Sequence, residues 1–281
     1  MIDVTTIDWN EAWKKPEEGE KGKKLFISCA DRWSEKERCD RFNRSAKENN
    51  WQASKARIEG MNITPDVRVL DIGSGPGTLT IPLAGLVREV TAVEPSAFMR
   101  DCLFSNISEA GMRNVIVVPK KWEDVDTVTD LNAPYDIVVA SYSLGFPDLR
   151  EGLQKMDQVS CSYVYIFWFA DMLSPWQKNY GDIWEALYGI PFKKYQKPNI
   201  IFNLLHQMGI YANVEITKEV HQQKFVSIDE AVSDQGAGLN LETPEQYAVL
   251  RDYLEMKLIQ QDGQYVMSSI SPRAKIWWKK D

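Results

Sequence analysis

Five short runs rich in β-branched residues recur along the middle of the chain, and a longer, more polar stretch follows each of them. The runs start 22, 26, 20 and 27 residues apart, which leaves room for one helix in each gap. Strands that alternate with helices at this spacing are typical of a parallel sheet covered on both faces. The predicted strands occupy residues 67–72, 89–94, 115–119, 135–140 and 162–169, and the predicted helices begin near Thr78, Ser96, Glu123 and Asp148.

The two ends of the chain have looser patterns. Residues 1–60 combine an aromatic segment, a charged loop and a helical pattern, and we interpret them as an N-terminal helical lid. Residues 171–198 are rich in Trp, Tyr and Pro, which indicates an insertion within a main domain of residues 61–281. Beyond the insertion, the pattern predicts helices over residues 199–208 and 243–259, and extended runs up to Phe225 and over residues 265–278 that complete the sheet.

Composition and charge restrict the classes of partner. The chain of 281 residues is 44% hydrophobic and carries a net charge of −7, which opposes binding to a phosphate backbone. No apolar run is long enough to cross a bilayer, and the N-terminus lacks the pattern of a secretory signal. The four cysteines form no C-x-x-C pair, and with two histidines a histidine-rich metal site is not expected. We expect a cytoplasmic protein that binds no metal, membrane or nucleic acid.

A glycine-rich turn follows the first predicted strand and carries the main chemical signal. The turn contains Gly73, Ser74, Gly75 and Gly77, and Asp71 precedes it. Glycines allow a ligand to approach the backbone closely, and the start of the next helix favours negative charge. The third glycine comes one residue earlier than in the dinucleotide fingerprint, which counts against NAD or FAD. With Asp71, the segment resembles the first motif of class I S-adenosylmethionine-dependent methyltransferases.

The second predicted strand ends in Glu94 and Pro95, and Glu94 lies 23 residues after Asp71. An acidic side chain at this position can accept hydrogen bonds from both hydroxyls of a ribose. The resemblance implies that Glu94 binds the ribose of S-adenosylmethionine, with Pro95 beside it. A cap for the next helix is the alternative role for Glu94.

The third predicted strand is followed by Trp122 and Glu123. In the methyltransferase family an acidic residue at this point often binds the adenine amine while its neighbour packs on the ring. The resemblance therefore implies that Trp122 lies on the adenine and that Glu123 reaches its amine. Lys120 and Lys121 stand where the acidic residue is often found, which is a departure from the family. A place for Trp122 in the hydrophobic core is an equal alternative.

Three further candidates lie at the ends of the fourth and fifth predicted strands. Ligands of this fold bind beyond the carboxyl ends of the strands, so we expect Ser141 to contact the cofactor and Tyr142 and Trp168 to face the substrate. The Asp/Asn-Pro-Pro-Tyr motif of several nitrogen-methylating members is absent, and no catalytic base can be named. The alternative is that Tyr142 packs under the N-terminal segment and that the large aromatics fill the interface between lid and core.

These features together predict an α/β fold, a seven-stranded and mostly parallel Rossmann-like methyltransferase sandwich with an N-terminal helical extension. The resemblance implies S-adenosylmethionine as cofactor and methyl transfer to a small-molecule acceptor by in-line attack on the sulfonium methyl. Two alternatives stay open: a protein or RNA methyltransferase, and a catalytically silent module of the same fold that binds a nucleotide or a partner.

Overall fold

The computed structural model describes residues 6–14, 33–48, 50–171, 175–192 and 198–280. The strands of these ranges are β1 (Arg68–Ile72), β2 (Glu89–Val93), β3 (Val115–Val118), β4 (Tyr135–Ser141), β5 (Ser160–Phe169), β6 (Asn213–Phe225), β7 (Ile259–Gln261) and β8 (Gln264–Lys279). Seven of them form one sheet in the order β3-β2-β1-β4-β5-β8-β6, and the short β7 pairs with β8. The first five strands are parallel, and β8 is antiparallel to β5 and β6. The prediction of a seven-stranded, mostly parallel sheet is confirmed, with β7 as an addition.

The α-helices cover both faces of this sheet. They are α1 (Trp9–Lys14), α2 (Lys36–Glu48), α3 (Gln52–Glu59), α4 (Thr80–Ala84), α5 (Ala97–Glu109), α6 (Leu149–Val159), α7 (Pro175–Tyr180), α8 (Trp184–Tyr188), α9 (Pro198–Gln207), α10 (Ile228–Gly238) and α11 (Pro244–Lys257). Side chains alternate across each strand, so the sheet presents two apolar faces. One face packs with α6 and α9, and the other packs with α3 and α4.

Side-chain caps fix the starts of the main helices. Ser96 accepts a hydrogen bond from the Met99 amide at the start of α5, and Asp148 does the same for the Glu151 amide at the start of α6. Both helices therefore begin where the sequence predicts.

The helix predicted near Glu123 is wrong. Only a 3₁₀ turn forms there, over Trp122–Asp124. The carboxylate of Asp126 accepts hydrogen bonds from the amides of Val128 and Thr129, and Asp130 accepts one from the Asp126 amide. These side chains take up backbone donors that a helix would need, so the chain continues as turns.

The predicted insertion shares a second hydrophobic core with the helices after β6. Tyr180 and Trp184 from the insertion pack with Leu250 and Tyr253 of α11. The buried hydroxyl of Tyr180 also donates a hydrogen bond to Gln235 of α10. The residues around the insertion and those between β6 and β7 therefore form one helical layer, which the sequence pattern does not predict.

The N-terminal helices are fastened to the main domain at separate places. The Nδ2 atom of Asn10 in α1 lies 3.1 Å from each carboxylate oxygen of Asp148, and α1 packs on α9. Helix α2 packs on α5, where Lys47 lies 2.5 Å from Glu109. Among the described residues, no helix is long and apolar enough to cross a membrane.

Candidate active site

The glycine-rich turn leaves β1 and bends directly back towards β2. The amides of Gly73 and Ser74 donate to the Val93 carbonyl at 2.8 and 3.1 Å. Gly73, Gly75 and Gly77 all have positive φ, at 69°, 57° and 91°. A Cβ at Gly73 would overlap the Cβ of Ser143, whereas a Cβ at Gly75 would have no heavy atom within 4 Å. The turn is thus packed against the protein at Gly73 and open at Gly75.

Glu94 closes the turn from the end of β2. Its side chain is only 5% exposed, and its two carboxylate oxygens accept hydrogen bonds from the amides of Gly75 and Ser96, both at 2.8 Å. Burial raises the pKa of this carboxyl, and the two amide hydrogen bonds oppose the increase. Each oxygen keeps a further lone pair, so the carboxylate can accept additional hydrogen bonds from a ligand hydroxyl. The helix-cap alternative is also visible here, since the Ser96 amide is at the start of α5.

Asp71 is buried, and it positions the turn instead of facing a ligand. Its side chain is 1% exposed, and its carboxylate accepts a hydrogen bond of 2.7 Å from the Thr80 hydroxyl at the start of α4. Burial raises the pKa of Asp71 to about 6, against the opposing effect of this hydrogen bond. The contact fixes α4 relative to β1, and therefore fixes the turn between them.

Trp122 and Glu123 lie in different environments. Trp122 is buried in the core, its indole N–H donates to the Gly152 carbonyl at 3.1 Å, and the Lys155 ammonium lies 5.3 Å from its ring centroid. Glu123 is exposed. The position of Trp122 agrees with the alternative that it belongs to the hydrophobic core. Its contact with adenine stays a prediction. Pro95 is also exposed, directly after Glu94.

Ser141 is the last residue of β4, and Tyr142 begins the loop after it with a φ of 56°. A positive φ is uncommon for a bulky residue and is often found at functional sites. The Tyr142 ring lies 5.1 Å from that of Phe169, and Ser143 Oγ donates to the Ile72 carbonyl just before the glycine turn. Tyr142 therefore lies next to the turn.

Trp168 points to the other face of the sheet. Its ring lies 6.4 Å from that of Trp13 in α1, and successive side chains of a strand alternate between faces. Of the two residues predicted to face the substrate, Tyr142 is thus the one beside the glycine turn. The role of Trp168 stays a prediction.

Comparisons with known proteins agree with this geometry. Residues 69–160 match the family model described as a methyltransferase domain. The YcgJ protein of Bacillus subtilis has the same fold, with a TM-score of 0.56 and 15% identity over 82% of this chain and 98% of that one. A putative methyltransferase of Bacillus halodurans gives a TM-score of 0.54 and 15% identity over 81% and 98% of the two chains. An uncharacterised protein of Haemophilus influenzae is 28% identical over 80% of each chain.

The chain is thus similar to the class I S-adenosylmethionine-dependent methyltransferases, in the matched segment and in its fold. The family match spans β1 to the end of α6, which includes the glycine turn, Glu94 and Tyr142. S-adenosylmethionine is the cofactor that this similarity implies.

The residues around the turn fit that cofactor. No heavy atom lies within 4 Å of where a Gly75 Cβ would be, so a ligand can approach the backbone there. The Oγ atom of Ser74 is buried and has no hydrogen-bond partner in the part of the chain that the structure describes. Glu94 supplies the acceptor that a ribose needs. An open cradle, an unpaired hydroxyl and a buried carboxylate suit the sugar and the polar tail of S-adenosylmethionine.

Three residues near Tyr142 could not be identified from the sequence. Arg57 of α3 and Arg273 of β8 lie against its ring, and Phe169 of β5 lies beside it. Arg57 and Arg273 are 216 positions apart in the sequence, and no motif contains either of them. The pairing of β8 with β5 places Arg273 opposite Phe169, and the packing of α3 on the sheet brings Arg57 to the Tyr142 ring.

Proposed function

We propose that this protein transfers the methyl group of S-adenosylmethionine to a small-molecule acceptor. The observation that carries the proposal is the pairing of Glu94 with the glycine turn: a buried carboxylate, held by the Gly75 and Ser96 amides, directly beside an open backbone. When bound, S-adenosylmethionine supplies an activated methyl, whose C–S bond breaks towards sulfur as the acceptor's lone pair forms the new bond. The chain then has to bind the donor and the acceptor, orient them for the transfer and exclude water.

Glu94 and the turn would hold the donor, and Tyr142 would lie on the acceptor side. Glu94 is preorganised because both oxygens are fixed before a ligand arrives. The Tyr142 ring lies 5.1 Å from that of Phe169 and supplies an aromatic wall, and the next residue, Ser143, packs against Gly73. Burial raises the pKa of the Tyr142 hydroxyl, so it stays protonated at neutral pH and donates a hydrogen bond rather than acting as a base.

The N-terminal helices would act as a lid over this site. The Ser96 hydroxyl, two residues after Glu94, donates to the Trp33 carbonyl at 2.6 Å, and Trp33 stacks near Phe42 of α2. On the acceptor side, α3 carries Arg57 to the Tyr142 ring. The segment thus contacts both sides of the proposed site, as a cover that excludes water would. A small acceptor agrees with this enclosure and with the net charge of −7, which opposes RNA binding.

Calorimetric titration with S-adenosylhomocysteine tests the donor half of the proposal. Wild type should bind it, and Glu94→Ala should bind it at least tenfold more weakly, because it loses charge-assisted hydrogen bonds worth about 1.5–3 kcal/mol each. Glu255→Ala, which removes an exposed glutamate of α11, is the matched control and should bind as wild type does. Equal affinity of Glu94→Ala, or tighter binding of NAD, would show that the donor assignment is wrong.

The acceptor half is tested with methyl-labelled S-adenosylmethionine and pools of small thiols, amines and phenols, beside mixed RNA. We expect label in a small-molecule pool. Label in RNA, together with salt-sensitive binding of RNA, would contradict the proposal.

A further inference from the structure

A cluster of aromatic and arginine side chains beside the carboxyl ends of β4 and β5 has more hydrogen-bond donors than acceptors. We name it the arginine cluster, and it consists of Arg57, Tyr142, Phe169 and Arg273. The guanidinium carbon of Arg273 lies 5.0 Å from the Tyr142 ring centroid and 4.6 Å from that of Phe169, and that of Arg57 lies 5.5 Å from the Tyr142 ring. The guanidinium groups of Arg57 and Arg273 therefore both contact the Tyr142 ring. Such contacts hold the planes of the guanidinium groups in place and leave the N–H groups at their edges free to bind other partners.

The donors of the arginine cluster are largely unpaired. The Nε of Arg57, the Nε and Nη1 of Arg273 and the hydroxyl of Tyr142 are buried without a hydrogen-bond partner among the residues described. Arg57 does use Nη2, which donates to Ser54 Oγ at 3.0 Å. The Oε2 atom of Glu219 lies 3.5 Å from Arg273 Nε, outside hydrogen-bond geometry. Buried donors without acceptors are rare in folded proteins and often mark a site that a ligand completes.

The position of the arginine cluster relative to the glycine turn points to the acceptor. The turn and Glu94 follow β1 and β2, whereas Arg273 lies on β8, on the opposite side of β1 and separated from it by β4 and β5. Neighbouring strands are about 4.8 Å apart, so the β8 backbone is about 14 Å from β1. Tyr142 connects the two regions, because the next residue, Ser143, is hydrogen-bonded to Ile72 at the end of β1.

On the basis of the proposed function, we propose that the arginine cluster binds an anionic oxygen group of the methyl acceptor, a carboxylate or a phosphate. Such a group offers several lone pairs to the free N–H and O–H donors and neutralises the guanidinium charge. The acceptor is then a small anion whose charged end lies against Arg57 and Arg273. Its nucleophilic atom lies beyond Tyr142, towards the glycine turn.

The experiment measures anion binding directly, with saturating S-adenosylhomocysteine present. Benzoate, phenyl phosphate and the uncharged benzyl alcohol are titrated into wild type, Arg273→Met and Arg57→Met. We expect wild type to bind at least one of the two anions at least tenfold more tightly than the alcohol, and each arginine variant to lose most of that preference. Arg251→Met is the matched control, because Arg251 is an exposed arginine of α11 that pairs with Asp229. It should keep the preference of wild type.

A second arm separates the acceptor from the donor's own carboxylate. S-adenosylhomocysteine and 5′-methylthioadenosine, which lacks the amino-acid part, are titrated into the same variants. Our proposal expects both affinities to stay within twofold of wild type in Arg273→Met. If Arg273→Met weakens S-adenosylhomocysteine alone, the cluster holds the donor, and the proposal is overturned. It is also overturned if wild type shows no preference for either anion.

Two further readouts keep the test decisive. If Arg273→Met does not fold, as judged by circular dichroism, Arg273→Lys keeps the charge and should retain part of the anion preference. If wild type does not bind S-adenosylhomocysteine at all, the proposed function fails. The anion titrations without it then still decide whether the arginine cluster is an anion site.

Discussion

The glycine-turn side and the arginine-cluster side of the sheet edge bury charged groups in opposite ways. On the first side, both buried carboxylates have donors from the chain itself: Asp71 has the Thr80 hydroxyl, and Glu94 has the Gly75 and Ser96 amides. On the second side, Arg57 Nε and the Nε and Nη1 of Arg273 have no hydrogen-bond acceptor among the described residues, and the nearest carboxylate to Arg273, that of Glu219, forms only an ion pair at 3.5 Å.

In our proposals, this contrast separates a region whose polar groups the chain itself satisfies from one that a ligand completes. A satisfied polar network gives a rigid and unique geometry, which suits a cofactor that never varies. Unpaired donors cost stability when the site is empty, and they are tolerated where binding repays the cost. In our proposals, the glycine-turn side binds the methyl donor and the arginine-cluster side binds the acceptor.

Matched alanine substitutions in the turn should separate folding from binding. Gly73→Ala forces a positive φ on alanine and overlaps Ser143, and we expect it to lower the free energy of unfolding by about 3 kcal/mol. Gly75→Ala carries only the backbone strain, about 1–2 kcal/mol, because its Cβ meets nothing. Urea denaturation measures both losses.

Of these two variants, Gly75→Ala should have the larger effect on cofactor binding. Gly75→Ala places a methyl where the cofactor approaches the backbone, so calorimetry should show loss of S-adenosylhomocysteine binding in a protein that remains folded. Normal binding by Gly75→Ala would mean that the open space at this glycine is not used by the cofactor.

Asp71 should make stability depend on pH. Its pKa is about 6 in the folded protein and 3.8 as the ordinary value, so between pH 4 and 6 the folded state holds a proton that the unfolded state has released. The free energy of unfolding should therefore fall as pH rises through this window, by up to about 3 kcal/mol. Urea denaturation at several pH values should show this decrease in wild type and a smaller one in Asp71→Asn, in which the raised pKa of Glu94 still contributes.

Removal of the Thr80 hydroxyl, which donates to Asp71, gives a second test of the pH dependence of stability. The Thr80 hydroxyl lowers the pKa of Asp71, so Thr80→Val should raise that pKa further and extend the decrease in stability above pH 6. Identical pH profiles for wild type and Asp71→Asn would show that this buried carboxylate does not control stability.

The local structure of the glycine-turn side could be predicted from the sequence because its signals are local. The strand before Gly73, the glycine spacing and the acid at Glu94 all lie within short segments whose backbone conformation depends on their own residues. The starts of α5 and α6 follow from Ser96 and Asp148 for the same reason. The failure at Glu123 is also local, because Asp126 and Asp130 compete for the backbone donors of the predicted helix.

The arginine cluster could not be predicted, because it depends on the register of distant strands. Arg273 reaches Phe169 only through the antiparallel pairing of β8 with β5, and Arg57 reaches Tyr142 through the packing of α3 on the sheet. An isolated arginine in an alternating strand gives no signal of its own. The shared core of Tyr180 with α10 and α11 is missed for the same reason.

The attachment of α1 should give the smallest effect, and it tests whether the lid belongs to the acceptor side. Burial raises the pKa of Asp148, but hydrogen bonds from Lys14, the Glu151 amide and Asn10 outweigh this effect and hold the pKa at about 2. The stability from this carboxylate is thus present above pH 4 and lost as pH falls towards 2. At pH 7, Asn10→Ala removes the hydrogen bonds to Asp148 and the Arg150 amide, and we expect a loss of about 1 kcal/mol in urea denaturation.

If α1 covers the acceptor, Asn10→Ala should raise KM for the acceptor and leave the affinity for S-adenosylhomocysteine unchanged. The reason is positional: Trp13 of α1 contacts Trp168 near the end of β5, whereas the glycine turn lies at β1. Glu11→Ala, on the exposed side of the same helix, is the control and should change neither quantity. Equal weakening of donor and acceptor binding by Asn10→Ala would show that α1 stabilises the whole sheet edge, and the division between its two sides would not extend to the lid.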